Sequence, residues 1–103
     1  MYVVILVTAK DKKEAQKISI GLIKAKLAAC VNIVSKIDSI FFWLGKIDQA
    51  KESLLVIKSK KDKLPQIIKL VRSLHSYKLP EIIAIPIIAG DGPYLRWIDA
   101  ALR

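Results

Sequence analysis

The side chains in this sequence that could do chemistry are few and scattered. His75 is the only histidine and Cys30 the only cysteine. An imidazole nitrogen binds copper or zinc, and a thiolate is a soft metal ligand. One of each, far apart in the chain, is not a metal site, and nothing local supports a Cys–His nucleophile pair. The sequence has no glycine-rich phosphate loop, no Cys-x-x-Cys and no paired histidines. Asp38, Asp48 and Asp91 fall in or beside turns, where aspartate bonds its own backbone. Asn32, polar in an apolar strand, reads as a hydrogen-bonded structural group. No catalytic constellation emerges, and the expected protein is not an enzyme.

Two of these residues have structural readings of their own. His75 closes the apolar face of a helix near its C-terminus, where it packs and bonds a free carbonyl. As a metal ligand it needs help from Tyr77, Glu81 or a residue of another subunit. Cys30 lies amid Ala28, Ala29 and Val31, where a free thiol behaves as a small hydrophobe. Glu81 follows Pro80 at the start of an apolar strand and is expected either to face solvent or to pair with Lys58 or Lys60.

The composition bounds the rest. A chain of 103 residues supports one domain, 1–103, with a single core. Apolar residues make up 53% of it. No apolar run approaches the roughly 20 residues that span a bilayer. The first nine residues lack a basic leader and a cleavage site. With one unpaired cysteine, this predicts a cytoplasmic protein. The net charge is +9, but the basic residues are spread over the whole chain. That spread predicts a solvated surface and no nucleic-acid partner. The aliphatic content, together with a large obligate interface, also predicts unusual thermal stability.

Positioning elements follow from periodicity. Tyr2–Thr8 reads as a strand buried on both faces. Asp11 and Glu14 have capping-box spacing, and the helix they open is expected to reach about Ala28 with Ala15, Ile18, Leu22, Ala25 and Ala29 inward. Cys30–Leu44 reads as a long strand, Gly45–Asp48 as a turn and Lys51–Ser59 as the returning strand. Asp62 is the expected cap of a second helix, with Pro65 in its first turn and Leu64, Ile67, Ile68, Val71, Leu74 and His75 on one face. Ile82–Ala89 reads as a strand in which Pro86 requires an edge or a bulge. A last helix from Pro93 presents Tyr94, Trp97, Ile98 and Ala101 one way and Arg96, Asp99 and Arg103 the other.

The order βαββαβ plus a terminal helix predicts an α+β, ferredoxin-like sandwich. Two helices cover one sheet face, yet the strands are apolar on both. Phe41, Phe42, Trp43 and Leu44 also stand in a row at the hairpin. Surface of this kind calls for a partner, most simply copies of the same chain. Trp43, Lys58, Tyr77 and Glu81 are the residues expected to line a pocket at the junction between subunits.

Leu27-Ala28-Ala29-Cys30-Val31-Asn32-Ile33 resembles the central signature of the divalent cation tolerance proteins, the CutA family. The likeness continues through Ser39, Trp43, Gly45, Lys46 and Ile47, Leu55 to Ser59, and His75, Tyr77, Pro80, Glu81 and Ile82. Pro86-Ile87, Gly90 and Tyr94-Leu95-x-Trp97 complete it, so that it covers essentially the whole chain. The resemblance implies a ferredoxin-like homotrimer, PII-like in assembly, with hairpins packed between subunits. It also implies a role in divalent metal tolerance, with copper(II) binding and no established enzymatic activity. Where many members carry His-Pro-Tyr-Glu, this chain has His75-Ser76-Tyr77-Lys78, and Phe41 and Leu44 stand where Tyr and Glu are frequent. Some members place a cysteine where Val7 stands and a second histidine where Leu74 stands. A copper site of that construction keeps one ligand here, His75.

Three functions follow from these observations. The first is a non-enzymatic homotrimer of the metal response that binds copper(II) or another divalent cation weakly and requires no cofactor. The second is a PII-like trimeric sensor that binds a small molecule or anion at subunit clefts. The third, an RNA-binding ferredoxin-like domain, ranks last, because Lys51–Ile57 carries none of the aromatics such a sheet uses to stack bases.

Overall fold

The computed structural model describes residues 1–103. Seven main elements follow one another: β1 (Tyr2–Ala9), α1 (Lys12–Lys24), β2 (Cys30–Trp43), β3 (Lys46–Lys60), α2 (Leu64–Leu74), β4 (Ile82–Pro86) and α3 (Gly92–Ala101). The four strands form one antiparallel sheet in the order β2-β3-β1-β4. This is the ferredoxin-like arrangement.

Side chains alternate across a sheet, so register decides what faces the helices. Ile5 pairs with Ile57 and Val7 with Leu55. These four, with Val3 and Ala9, pack against Ala15, Ile18 and Leu22 of α1 and Ile67 and Val71 of α2. Every large member of this core is fully buried. The other alternation places Val4 and Leu6 beside Ile85 and Ile83, and Leu54 beside Val34. Of these, Val34, Ile83 and Ile85 are exposed. One end of this face is covered from within the chain. Asp99 of α3 accepts the Tyr2 hydroxyl proton at 2.6 Å and pairs with Lys60 at 2.9 Å. Asp99 therefore faces the sheet, not solvent, while Tyr94 and Trp97 remain partly exposed. The two donors hold the Asp99 carboxyl below its usual range, the Tyr2 hydroxyl first and then Lys60. A lowered folded value means this contact stabilises above the ordinary carboxylate range and is lost as pH falls through the folded value. Asp99→Asn is expected to free α3 from the sheet, seen as faster amide exchange in residues 92–101 with β1 and β3 still protected.

Several boundaries differ from the periodic expectation. The first helix stops at Lys24 rather than near Ala28. Lys26 adopts a left-handed backbone (φ 56°). Its N–H bonds the Ile23 carbonyl, and the Leu27 N–H bonds the Leu22 carbonyl, each at 3.0 Å. This double bond pattern terminates helices, usually at glycine. Ala25 is consequently exposed and only Ala15, Ile18 and Leu22 of the expected stripe are fully buried. Asp62 does not cap α2; it sits in a short 3-10 turn, Lys61–Lys63, that precedes the helix. β4 ends at Pro86, three residues early, although the Ile87 N–H still bonds the Tyr2 carbonyl at 3.0 Å; Pro86 pairs with Val3 on the edge strand of the sheet, as its missing donor requires.

The hairpin turn is also tighter than expected. Trp43 pairs directly with Lys46, leaving Leu44 and Gly45 (φ 51° and 77°) as a two-residue turn. Two consecutive positive φ values define the turn whose twist suits a hairpin. A side chain at Gly45 would meet nothing within 4 Å, so its substitution cost is conformational alone. Gly45→Ala is expected to cost about 1–2 kcal/mol in a denaturant titration.

A cleft under the hairpin arm

β1 ends at Ala9, opposite Ser53. Beyond that point β2 and β3 continue without a third strand and make the protein 45 Å long. Between Val34 and Ile37 the register slips, with Lys36 at φ 59°. A bulge of this kind inserts one residue and exchanges the faces of everything beyond it. Ser39, Phe41 and Trp43 therefore share a face with Asp48 and, further down the arm, Glu52. Without the slip, Ile40 and Phe42 would take their place.

That face forms one wall of a cleft of about 810 Å³. The segment following α2 forms the other, through Tyr77, Lys78, Leu79 and Glu81, with Thr8 at its base. Thr8 and Glu52 both belong to the sheet alternation that faces away from the helices. Trp43, Tyr77 and Glu81 are thus brought together as expected. Lys58 is not. It lies six positions along β3 from Glu52, roughly 20 Å at about 3.3 Å per residue, beside Cys30 and bonded to Asn32. Nor does Glu81 pair with either lysine, since Lys60 is held by Asp99. The residues the sequence reading missed are Glu52, Asp48 and Phe41. The period-two pattern of the arm held that signal, but only the bulge tells which phase faces the cleft.

Three carboxylates, Asp48, Glu52 and Glu81, and a single base, Lys78, line the cleft. Glu52 is only 8% exposed. The Tyr77 hydroxyl donates to its Oε2 at 3.0 Å. Burial, and then this contact with Glu52, push the Tyr77 hydroxyl up to about 12. A raised folded value means the stabilisation is complete below the ordinary tyrosine range near 10 and is lost between there and about 12. In an alkaline titration read by tyrosinate absorbance, Tyr77→Phe is expected to remove the latest-titrating hydroxyl. Glu52→Gln should bring that step to lower pH.

His75 stands behind the cleft, with no exposed side-chain surface. Its Nδ1 accepts the Tyr77 N–H at 3.0 Å, so the proton resides on Nε2, which donates to the Thr8 carbonyl at 2.7 Å. Both ring nitrogens are occupied, and the ring joins the end of α2 to the end of β1. Glu14 approaches Nδ1 at 3.7 Å, but its oxygens are engaged by the Lys10 and Ser76 N–H groups. Cys30 lies at the opposite end of the sheet, where it pairs with Lys58. The two residues cannot form a Cys–His pair, and no three His, Cys, Asp or Glu side chains converge to hold a metal ion.

The sheet order, the helices on one face and the two-stranded arm define a ferredoxin-like α+β protein with an acidic, aromatic cleft at the base of the arm. The family model for the CutA1 divalent ion tolerance protein matches residues 3–101. The chain belongs to the CutA divalent ion tolerance family. It is 39% identical to the divalent-cation tolerance protein CutA of Thermus thermophilus over 95 residues, 92% of each chain. Identity to protein CutA of Mus musculus is 40% over 92 residues, 89% of this chain, which spans about half (52%) of that longer relative. The solved structure of the periplasmic divalent cation tolerance protein CutA from Archaeoglobus fulgidus superposes with a TM-score of 0.97 at 41% identity, each chain covered completely. No helix is long and apolar enough to cross a membrane.

Proposed function

We propose that this protein acts as a homotrimeric, non-enzymatic component of the divalent metal response, located in the cytoplasm, and binds copper(II) weakly. The observation that carries the assembly is the apolar surface left on one chain. Ile40, Phe42, Leu44 and Ile47 on the arm are each more than 70% exposed, and Val34, Ile83 and Ile85 are exposed on the other, open face of the sheet. Water contact over so large an apolar area favours association. Three copies in a closed ring cover it without leaving an open end. The metal role is supported by the names of the relatives. The free Cys30 favours a reducing compartment, although the Archaeoglobus relative is named periplasmic.

Weak copper binding is in keeping with the occupied His75 ring. A metal at Nδ1 must first displace the Tyr77 N–H. Light scattering on the eluting protein is expected to give three times the 11.5 kDa chain mass. A monomer at micromolar concentration would refute the assembly. Calorimetry with copper(II) is expected to show a weak stoichiometric isotherm, and a flat trace would refute the metal role.

The cleft favours a second reading, a PII-like sensor of a small molecule. Its three acids against one base argue for a ligand other than an anion. Thermal-shift screening with nucleotides and organic anions is expected to give no shift.

A further inference from the structure

We propose that a groove between α1 and β2 binds a free single-chain anionic amphiphile, with its alkyl chain on Ile20, Ile23 and Val31 and its carboxylate or phosphate headgroup at Lys24. The first observation is the groove itself. It measures about 400 Å³ and is lined by Ser19, Ile20, Ile23, Lys24 and Val31. That volume lies within the roughly 300–1,000 Å³ of small-ligand sites. Val31 pairs with Ile57 on the alternation that faces the helices, and β2 is an edge strand. The groove therefore opens on the helix side of the sheet. None of its residues belongs to the arm or to the open sheet face.

The second observation is misplaced apolar surface. Of the large apolar residues that are exposed, only Ile20 (55%) and Ile23 (42%) stand on α1 or α2. At 100° per residue both lie off the buried stripe of Ala15, Ile18 and Leu22. The Ser19 hydroxyl adds no free polar group, because it is buried and donates to the Ala15 carbonyl at 2.7 Å. Two exposed isoleucines beside a half-buried valine are surface that an alkyl chain removes from water.

The third observation is charge. Lys17 and Lys24 stand one turn before and one turn after Ile20, and Lys13 stands a further turn back. All three are exposed and none forms an ion pair. No acid offsets them on this face, since Asp11 caps the helix and Glu14 is buried against the Ser76 N–H. Apolar side chains set among unpaired lysines suit an anionic amphiphile, which supplies both a chain and a charge. Five lining residues are far fewer than the roughly 20–30 a side of a stable protein interface, which favours a small molecule over a second copy. Nucleotides and hydrophilic anions such as citrate lack the chain and leave the groove empty. The site involves no metal, so it goes beyond the metal-response reading.

The test uses the full assembled protein with isoleucine and valine methyl groups labelled for NMR. Decanoate, octanoate and hexanoate are titrated below their micelle concentrations, with decylammonium as the cationic counterpart. Saturable shifts are expected at the Ile20, Ile23 and Val31 methyls, while Ile83 and Ile85 on the open sheet face stay unmoved. Affinity should fall about tenfold for each two methylenes removed. It should weaken with added salt, and decylammonium should bind about tenfold more weakly than decanoate. Lys24→Glu should raise the half-saturation concentration about tenfold, whereas Lys24→Arg keeps the charge and should leave it within about twofold. Ile20→Ser should raise it severalfold. Both positions are exposed, so the variants keep the fold. Equal shifts at Ile83 and Ile85, equal affinity for decylammonium, indifference to Lys24→Glu, or sedimentation with phosphatidylglycerol vesicles without a response to free decanoate would each overturn the proposal.

Discussion

Alanine at His75 is expected to cost about 3 kcal/mol or more of folding stability, a large share of the roughly 5–15 kcal/mol that holds a domain together. The ring is fully buried and serves two backbone groups that have no other partner, the Thr8 carbonyl and the Tyr77 N–H. Leaving a buried donor or acceptor unsatisfied costs about 1–3 kcal/mol each. The space left by the ring adds a cavity cost. The damage should also spread in a defined direction. Tyr77 is held by that bond, and Tyr77 in turn holds Glu52, so the late Tyr77 titration step should move to lower pH in parallel. Denaturant titrations of wild type and His75→Ala at one protein concentration measure the loss, since association contributes to apparent stability. A loss below 1 kcal/mol would show that the clasp is not structural.

The second large effect concerns the open sheet face. The assembled protein is expected to melt above the roughly 45–65 °C typical of mesophile domains. Glu at both Ile83 and Ile85 should abolish assembly and bring melting into or below that range. The two residues are about half exposed in one chain and stand on the face away from the helices, opposite Leu6 and Val4. In the isolated chain a glutamate at either position still reaches water, so the fold survives. In the assembly it is an unpaired charge against apolar surface, a cost of several kcal/mol at each copy. Light scattering and differential scanning calorimetry give the two readouts. An unchanged mass and a melting point within about 3 °C of wild type would place the interface elsewhere.

The elements themselves were legible because their signals are local. A β-branched run marked β1, the Asp11–Glu14 spacing marked the start of α1, and Pro86 marked a strand at the sheet edge. Ends set by backbone conformation were not legible. Lys26 in a left-handed conformation ends α1 where glycine would have been the expected sign. The short 3-10 turn ahead of α2 displaced Asp62 from the capping position, although aspartate is a good cap.

For the cleft, the sequence determined the parts. It supplied the aromatic run of the arm, the tyrosine after α2, the glutamate before β4 and the lone histidine that ties them to the sheet. It also determined that apolar surface would exceed what one chain can cover, since that depends on composition and strand count alone. Tertiary structure decided which parts meet. A one-residue slip between Val34 and Ile37 turned Phe41 and Trp43, rather than Ile40 and Phe42, towards Glu52. The packing of α3 on the sheet turned Asp99 inward against Tyr2 and Lys60. The reason is physical. Side chains in a strand alternate with period two, so a single inserted residue reverses every side chain beyond it. The slip becomes visible only when two strands are laid side by side.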